Sequence, residues 1–300
     1  MEIFKYSQNP IITKDHVSFR INSIFNPGAV MHKDKYLLMC RIEMPNGRSA
    51  LLKALSDDGY NFVLDSKPSL TPEDNKDYYE YCNWGIEDAR ITKIEDTYYI
   101  TYTGYSKYMP VVILAETKDF ENYKIHGPIS EPSNKDCTLF PNKIDGYYWR
   151  IDRPSAERRH DMWISKSPDL IHWGGYKFLM EPTAGTWEND KIGSSSTPIK
   201  TKDGWLMLYH GVRGFGISTL YKIGAVLLDL EKPWIVKGRT TEPFLIPDLD
   251  YERIGDVPNV VFACGWIEEP NRKLKIYYSG ADQNICVAET SIDYLISLCK

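Results

Sequence analysis

The hydrophobic pattern along the chain is a strand pattern that occurs five times. Each copy begins with a polar turn such as Lys-Asp, Glu-Asp or Asp-Gly and continues into a run rich in Tyr, Trp, Leu and Ile. Short runs of this kind, bounded by turn residues, predict hairpins and not helices. The five runs are HKDKYLLMCRI (32–42), KIEDTYYITYTG (93–104), KIDGYYWRIDR (143–153), KTKDGWLMLYHG (200–211) and NRKLKIYYSG (271–280).

A further strand-like segment precedes each run and another follows it. The preceding segments are IFNPGAVM, GIEDARIT, CTLFPNKI, SSSTPIKT and VPNVVFAC. Three or four strands repeated every ~50–70 residues predict blades arranged around an axis. We therefore predict an all-β chain that forms a single five-bladed β-propeller over residues 1–300. A β-sandwich is the alternative, but its turns usually come every ~8–12 residues without this longer period.

Composition narrows the class of protein. The chain is 42% hydrophobic and 26% charged, which is ordinary for a soluble globular protein. Its net charge of −5, without a basic run, argues against a nucleic-acid partner. No apolar run approaches the ~20 residues that a membrane helix needs. The sequence leaves a homo-oligomer open.

Cysteine usage and the first residues bear on the compartment. The start MEIFKYSQNP has neither a basic nor an apolar region typical of a secretory signal. The six cysteines are scattered without a C-x-x-C pair, which favours reduced thiols over disulfides or a zinc site. We therefore expect a cytoplasmic protein that binds no metal.

The segment NWGIEDARI (83–91) places two carboxylates, Glu87 and Asp88, side by side. It belongs to the predicted innermost strand of blade two, which should line the central channel. Successive side chains of a strand point to opposite faces. We therefore expect one carboxylate to face the axis and the other to face the neighbouring blade, and the sequence alone does not say which.

Other polar residues recur at corresponding places in the five repeats. Any one of them is as well explained by a surface ion pair, but their recurrence predicts a polar channel. These candidates are Asn26, Arg41, Arg48, Lys135, Asp136, Arg153, Lys191, Tyr209, His210, Asp256, Asn259, Tyr278 and Asp282. Arg90, two residues past Asp88, is expected to share its face, where it either holds the acid or contacts the ligand.

Several of these segments resemble a known family. The motifs FNPGAV, GIEDARI, RIDRP, KIGSSSTPIKTKDGWLMLYHGV, GDVPNVVFACG and IYYSGAD are similar, in this order, to the motif series of glycoside hydrolase family 130. That family comprises five-bladed propeller β-mannoside phosphorylases and some mannosidases. Two departures are EDAR, where the family often has EDPR, and the serine run, where a glycine-containing run is common. The alanine leaves the acid untouched, whereas the serines can alter sugar contacts.

The resemblance implies roles for individual residues. Asp88 would be the single catalytic acid, its proton passing to the glycosidic oxygen through a hydroxyl of the bound mannose. Arg153, Lys191 and His210 match the family's phosphate-binding positions, and Tyr209 stands beside them. Sugar-binding roles fall to Asn26, Arg41, Arg48, Arg90, Lys135, Asp136, Asp256 and Asp282.

The cationic residues decide between two reaction types. An inverting hydrolase needs a second carboxylate to activate water, whereas a phosphorylase uses phosphate, which is already a nucleophilic anion. The family's hydrolytic members carry glutamates where this chain keeps basic residues, which favours phosphorolysis.

The function expected from the sequence is therefore inverting phosphorolysis of a β-mannoside to α-D-mannose 1-phosphate. Inorganic phosphate is a co-substrate, and no cofactor is expected. A β-1,2-linked mannobiose or short oligomannoside comes ahead of a β-1,4-mannooligosaccharide. The alternatives are a β-mannosidase or other propeller glycoside hydrolase, and a non-catalytic sugar-binding propeller. The segment GVRGFGIS (211–218) is interpreted as a loop at the channel mouth, because strand-like residues follow it where a phosphate-binding loop requires a helix.

Overall fold

The computed structural model describes residues 2–155, 160–215 and 218–300, and it is built almost wholly from antiparallel strands. The chain opens with the short strand β1 (Phe4–Lys5). Blade one contains β2 (Ser23–His32), β3 (Lys35–Glu43), β4 (Ser49–Ser56) and β5 (Val63–Leu64). Blade two contains β6 (Gly85–Ile94), β7 (Thr97–Tyr105), β8 (Val111–Thr117) and β9 (Lys124–Pro128). Blade three contains β10 (Asn134–Leu139), β11 (Tyr148–Pro154), β12 (Met162–Ser167) and β13 (Gly174–Met180).

The last two blades follow the same plan and complete the predicted five. Blade four contains β14 (Lys191–Ser194), β15 (Ile199–Lys200), β16 (Trp205–Phe215), β17 (Ser218–Leu228) and β18 (Val236–Arg239). Blade five contains β19 (Val261–Glu269), β20 (Lys273–Gly280) and β21 (Asn284–Ser291). The N-terminal strand β1 pairs with β21 and supplies the fourth strand of blade five. The two ends of the chain thus close the ring, and the five-bladed fold is confirmed.

Helices are few and short. The α-helices are α1 (Asp250–Arg253) and α2 (Ile292–Leu298), and 3₁₀ turns span Lys14–His16, Pro72–Asp74, Lys76–Tyr81 and Pro270–Arg272. Ser291 begins α2 by accepting a hydrogen bond from the backbone N–H of Tyr294. Within the described ranges, no helix has the length and apolar character required to cross a bilayer.

The hydrophobic core lies between blades. Five buried hydrophobic clusters each join two neighbouring blades. In the cluster between blades four and five, for example, Leu208 of blade four and Ile276 of blade five belong to the same core. The remaining clusters join blades one and two, three and four, five and one, and two and three. Each blade buries both of its faces against its neighbours. The polar side chains of the innermost strands therefore point toward the central axis.

The innermost strands of the first three blades share one irregularity. In each, a β-bulge places two residues opposite one on the partner strand, and the first of the two is left-handed. These residues are Asn26, Asp88 and Asp136, with φ of 46°, 54° and 55°. Asn and Asp tolerate this conformation better than other non-glycine residues. The repeated bulge therefore explains the residue type at these positions and turns three short polar side chains toward the axis.

Candidate active site

A small polar cavity of about 130 Å³ lies at the end of the axis where the innermost strands begin. A separate cavity of about 310 Å³ lies at the opposite end, lined in part by Met31, Lys93 and Lys200. The polar cavity contains nine of the residues predicted from the sequence and three others. Its lining is Asn26, Arg41, Asp88, Lys135, Asp136, Arg153, Lys191, His210, Tyr221, Val260, Phe262 and Asp282.

Asp88 is held from several directions at once. Asn26 Nδ2 donates to Asp88 Oδ1 at 2.8 Å, and Arg41 Nη1 donates to the same oxygen at 3.1 Å. Ser279 orients Asn26 by donating from its hydroxyl to Oδ1 at 2.6 Å. Arg41 also donates from Nη2 to Glu87 Oε1 at 3.0 Å. The prediction that the adjacent carboxylates face opposite ways is therefore wrong, because the bulge at Asp88 brings both onto one guanidinium.

The carboxyl groups of Asp88 and Asp282 have opposite protonation tendencies. Burial alone would raise the pKa of Asp88, but Arg41 and Lys135 outweigh it, and the pKa lies below its usual range. Burial raises the pKa of Asp282 to about 7, with the negative charge of Asp88 adding to the effect and Arg41 opposing it. At neutral pH Asp88 is therefore ionised, whereas Asp282 is partly protonated.

Asp136 is the carboxylate at the centre of a second group. Arg153 donates from Nε to Asp136 Oδ2 at 2.8 Å, and Arg90 donates from Nη2 to Oδ1 at 3.2 Å. Burial disfavours the charge, but the guanidinium groups of Arg153 and Arg90 hold the pKa of Asp136 far below its usual range. Both oxygens are thus bonded to arginines. A carboxylate in this state is a poor base for deprotonating water.

Lys191 and Lys135 are the cations with the weakest carboxylate contacts in the pocket. Among the described residues no carboxylate lies within ion-pair distance of Lys191, whose Nζ sits 4.9 Å from the ring centroid of Tyr221. Burial and the neighbouring Arg153 lower the pKa of Lys191 to about 8. Lys135 Nζ has a 3.9 Å contact with Glu87 Oε2. These two ammonium groups, with Arg153, are arranged to receive an anion.

His210 adds a hydrogen-bonding group without a charge. Burial lowers its pKa to about 3, so the imidazole is neutral at physiological pH. Its Nδ1 lies 3.3 Å from Ser195 Oγ, and its ring centroid lies 4.6 Å from that of Phe262. The distance of 3.6 Å between its Nε2 and Asp136 Oδ2 is too long for a hydrogen bond. That nitrogen is therefore left for a ligand in the pocket.

Gly193 allows His210 and Asp136 to meet. A Cβ at this position would lie 2.5 Å from His210 Cε1 and 2.6 Å from Asp136 Oδ2, both far inside van der Waals contact. Neither group is free to move, since Arg90 and Arg153 bond the carboxylate and Phe262 packs on the imidazole.

We expect Gly193→Ala to displace these two groups, to raise at least tenfold the KM for phosphate, the co-substrate that the family resemblance implies, and to destabilise the fold by about 1–3 kcal/mol. Steady-state kinetics at varied phosphate and thermal unfolding measure the two effects. Gly174→Ala is the matched control, because nothing lies within 4 Å of that Cβ. Equal phosphate KM and melting temperature in both variants would contradict the steric argument.

Two predicted site residues are buried outside the cavity. Tyr209 is fully buried on the other face of β16 from His210, and its ring packs 5.5 Å from that of Trp187. This position does not fit the phosphate-binding role predicted for it. Arg90 is also fully buried and donates to the backbone oxygens of Asp88 and Ser194. It braces the walls of the pocket and does not present its guanidinium to a sugar.

Two further predictions lie on the surface. Asp256 is exposed and is not part of the cavity lining. Arg48 lies on the rim, with Nη1 at 3.4 Å from Tyr79 Oη and 3.9 Å from Glu73 Oε1. Both residues lie in loops outside the strands. From the sequence they were treated as if they continued the strand pattern, and they were therefore placed too close to the axis.

Tyr221 is a lining residue that the sequence analysis missed. In the hairpin of β16 and β17, His210 pairs with Ile223, and Tyr221 is therefore its diagonal neighbour. Aligning the two strands as a hairpin could have found it. That hairpin also corrects the loop predicted at 211–218, because residues 211–215 and 218 are in strands, while 216 and 217 lie outside the described residues.

Comparison with known proteins gives consistent matches along the whole chain. The model of glycoside hydrolase family 130, described as β-1,4-mannooligosaccharide phosphorylase, matches residues 4–300. A β-1,2-mannobiose phosphorylase of Listeria innocua is 34% identical, over 99% of this chain and 98% of its own. A 1,2-β-oligomannan phosphorylase of a Thermoanaerobacter species is 35% identical, over 96% of this chain and 97% of its own.

The solved structures agree. The β-1,2-mannobiose phosphorylase from Listeria innocua, in complex with β-1,2-mannobiose, superimposes on this fold with a TM-score of 0.92. The superposition covers 99% of each chain at 34% identity.

Proposed function

Because the chain belongs to glycoside hydrolase family 130, we propose that it is a β-mannoside phosphorylase that transfers a mannosyl group to inorganic phosphate with inversion. The products are α-D-mannose 1-phosphate and the shortened acceptor, and the reaction is reversible. We place β-1,2-linked mannobiose and short β-1,2-oligomannosides ahead of β-1,4-linked chains. The full-length similarity to relatives named for β-1,2 substrates supports this order.

One observation carries the choice of phosphorolysis over hydrolysis. Lys135, Arg153 and Lys191 converge in the pocket, while Asp136, the carboxylate among them, is bonded by two arginines. A hydrolase would need an available carboxylate to deprotonate water. This group instead supplies positive charge that can hold and align phosphate. No metal ion is required, since guanidinium and ammonium groups provide the charge.

Bond making and breaking follow from this arrangement. A phosphate oxygen attacks the anomeric carbon while the bond from that carbon to the glycosidic oxygen breaks and a proton reaches the departing oxygen. We assign that proton to Asp88, passed through a mannose hydroxyl as the family resemblance implies. Asp88 is ionised in the unliganded pocket because Arg41 and Lys135 lower its pKa. The negative charge of bound phosphate offsets Lys135, and it therefore raises the pKa of Asp88 toward the value that a proton donor needs.

Sugar contacts are the role proposed for the group around Asp88. Asn26 and Arg41 border the acid and line the cavity, and Asp282 lies among them with a pKa near 7. A carboxyl that is partly protonated can donate to one sugar hydroxyl and accept from another. We also propose a cytoplasmic location, in keeping with six cysteines that form no disulfide.

Product analysis tests the proposed function. The protein is incubated with β-1,2- or β-1,4-linked mannobiose, with and without phosphate, and the products are separated and their anomeric configuration is read by NMR. We expect α-D-mannose 1-phosphate and mannose in phosphate only, with faster turnover of the β-1,2 linkage. Rapid release of mannose without phosphate would identify a hydrolase, and binding without turnover would identify a sugar-binding propeller.

A further inference from the structure

Four exposed aromatic side chains lie together on the rim of blade two. Among the described residues, the exposed aromatic side chains number seven, and four of them are Tyr79, Trp84, Tyr105 and Tyr108, each 37–49% exposed. The rings of Trp84 and Tyr105 lie 5.7 Å apart at 59°. Of the other three, Tyr176 and Phe178 lie on the outer strand β13 of blade three, and Phe4 lies on the N-terminal strand β1. Such a concentration of exposed rings on one blade is a feature that packing of the fold does not require.

This rim is at the same end of the axis as the polar cavity. Trp84 directly precedes β6, and Asp88 lies three residues into that strand, roughly 10 Å along it at ~3.3 Å per residue. A chain of contacts joins them, since Arg41 donates to Asp88 and, from Nε, to Ser49 Oγ at 2.9 Å, and Ser49 pairs with Gly85. Tyr105 pairs with Gly85 on the other side. Trp84 and Tyr105 therefore flank Gly85, at the end of the axis that contains the polar cavity.

The cavity is small compared with an oligosaccharide. With a volume of about 130 Å³, it leaves the remainder of any longer substrate outside, along the rim. Aromatic faces stack on the apolar faces of sugar rings. Arg48 adds hydrogen-bond donors on the same rim, 3.4 Å from Tyr79 Oη.

We propose that Trp84 and Tyr105, with Arg48 beside them, form a distal subsite that binds the acceptor end of substrates longer than a disaccharide. This inference rests on the proposed function, since the terminal mannose must occupy the cavity for the acceptor to reach the rim. On this proposal, blade two selects substrates by the length of the sugar chain. Arg48 then binds sugar, as predicted from the sequence, but at the rim and not beside Asp88.

The test compares substrates of different length. Phosphorolysis of β-1,2-linked mannobiose, mannotriose and mannotetraose is measured for the wild type, Trp84→Ala and Tyr105→Ala. We expect the ratio of kcat/KM for mannotetraose to kcat/KM for mannobiose to fall about five- to tenfold in each variant, mainly through KM. Tyr176→Ala, which removes an even more exposed ring from the outer strand β13, should leave the ratio and both rates as in the wild type.

Each other outcome is informative. A ratio equal to that of the wild type in both variants would overturn the distal subsite. An equal loss on all substrates, with a change of mass in size-exclusion chromatography, would also overturn it and assign the rings to a subunit interface. If the wild type phosphorolyses none of these sugars, the proposed function fails. Calorimetric titration of mannotetraose then tests the rim by itself, with weaker binding by Trp84→Ala supporting the subsite and equal binding refuting it.

Discussion

Asp88→Asn should reduce phosphorolysis by ~10²–10⁴-fold or more, because general acid assistance is typically worth that much. The amide has the size of the acid and can still accept from Asn26 and Arg41, but it cannot act as a Brønsted acid. Asparagine also tolerates the left-handed backbone, with φ of 54° at this position. The loss should therefore appear in kcat, with the melting temperature near that of the wild type. Steady-state kinetics at saturating phosphate and thermal unfolding measure the two quantities.

Glu87→Gln is the matched control for this substitution. It removes one negative charge from the same guanidinium, since Arg41 donates to both carboxylates. Glu87 is not part of the cavity lining, so its loss should affect positioning and cost far less activity than the change at Asp88. If Asp88→Asn kept most of the wild-type kcat, or if Glu87→Gln lost as much, another residue would be the acid.

The fold could be predicted from the sequence because each blade carries its own local signal. Tyr36, Tyr98 and Leu274, from three of the five recurring runs, each occupy the second position of a blade's second strand. A hairpin is specified by neighbouring residues, and a recurring hairpin with a long period indicates a propeller. The pairing of β1 with β21 carries no comparable signal. Two residues, Phe4–Lys5, are too few to show a periodicity, although they complete blade five.

Site residues were predicted correctly where the residue type alone indicates the role. They were predicted wrongly where the local backbone geometry determines the direction of the side chain. Strict alternation put Glu87 and Asp88 on opposite faces, but an unpaired residue in the strand cancels that rule locally. Alternation also separates Tyr209 from His210, and the structure follows it there: His210 lines the cavity, whereas Tyr209 packs against Trp187 on the other face of the strand.

Arg90 shows a second limit of the sequence. An arginine near an acid suggests a ligand contact, yet Arg90 contacts the backbone oxygens of Asp88 and Ser194 and the carboxylate of Asp136. These partners come from three blades, and only the assembled ring brings them together. A buried cation held by these contacts braces the site without touching solvent. Long-range contacts of this kind have no signature in the spacing of the residues.

Lys191→Ala should raise KM for phosphate and lower kcat, with a combined loss of about 10²–10³-fold in kcat/KM for phosphate. Among the described residues, no carboxylate neutralises this ammonium, so its charge is available to the anion in both the ground state and the transition state. The apparent KM for mannobiose should change much less. Lys200→Ala is the control, since Lys200 lies at the opposite end of the axis. Similar losses in both variants would show that net charge, and not a local contact, governs phosphate binding.

The pH dependence separates this local role further. Burial lowers the pKa of Lys191 to about 8, so the cation is present below that pH and is lost above it. We therefore expect kcat/KM for phosphate to fall as the pH rises through about 8 in the wild type. In Lys191→Arg the guanidinium stays charged throughout this range. Its profile should remain flat through pH 8, even if the longer side chain lowers its absolute rate. A fall at the same pH in both proteins would assign the titration to another group and remove Lys191 from the phosphate site.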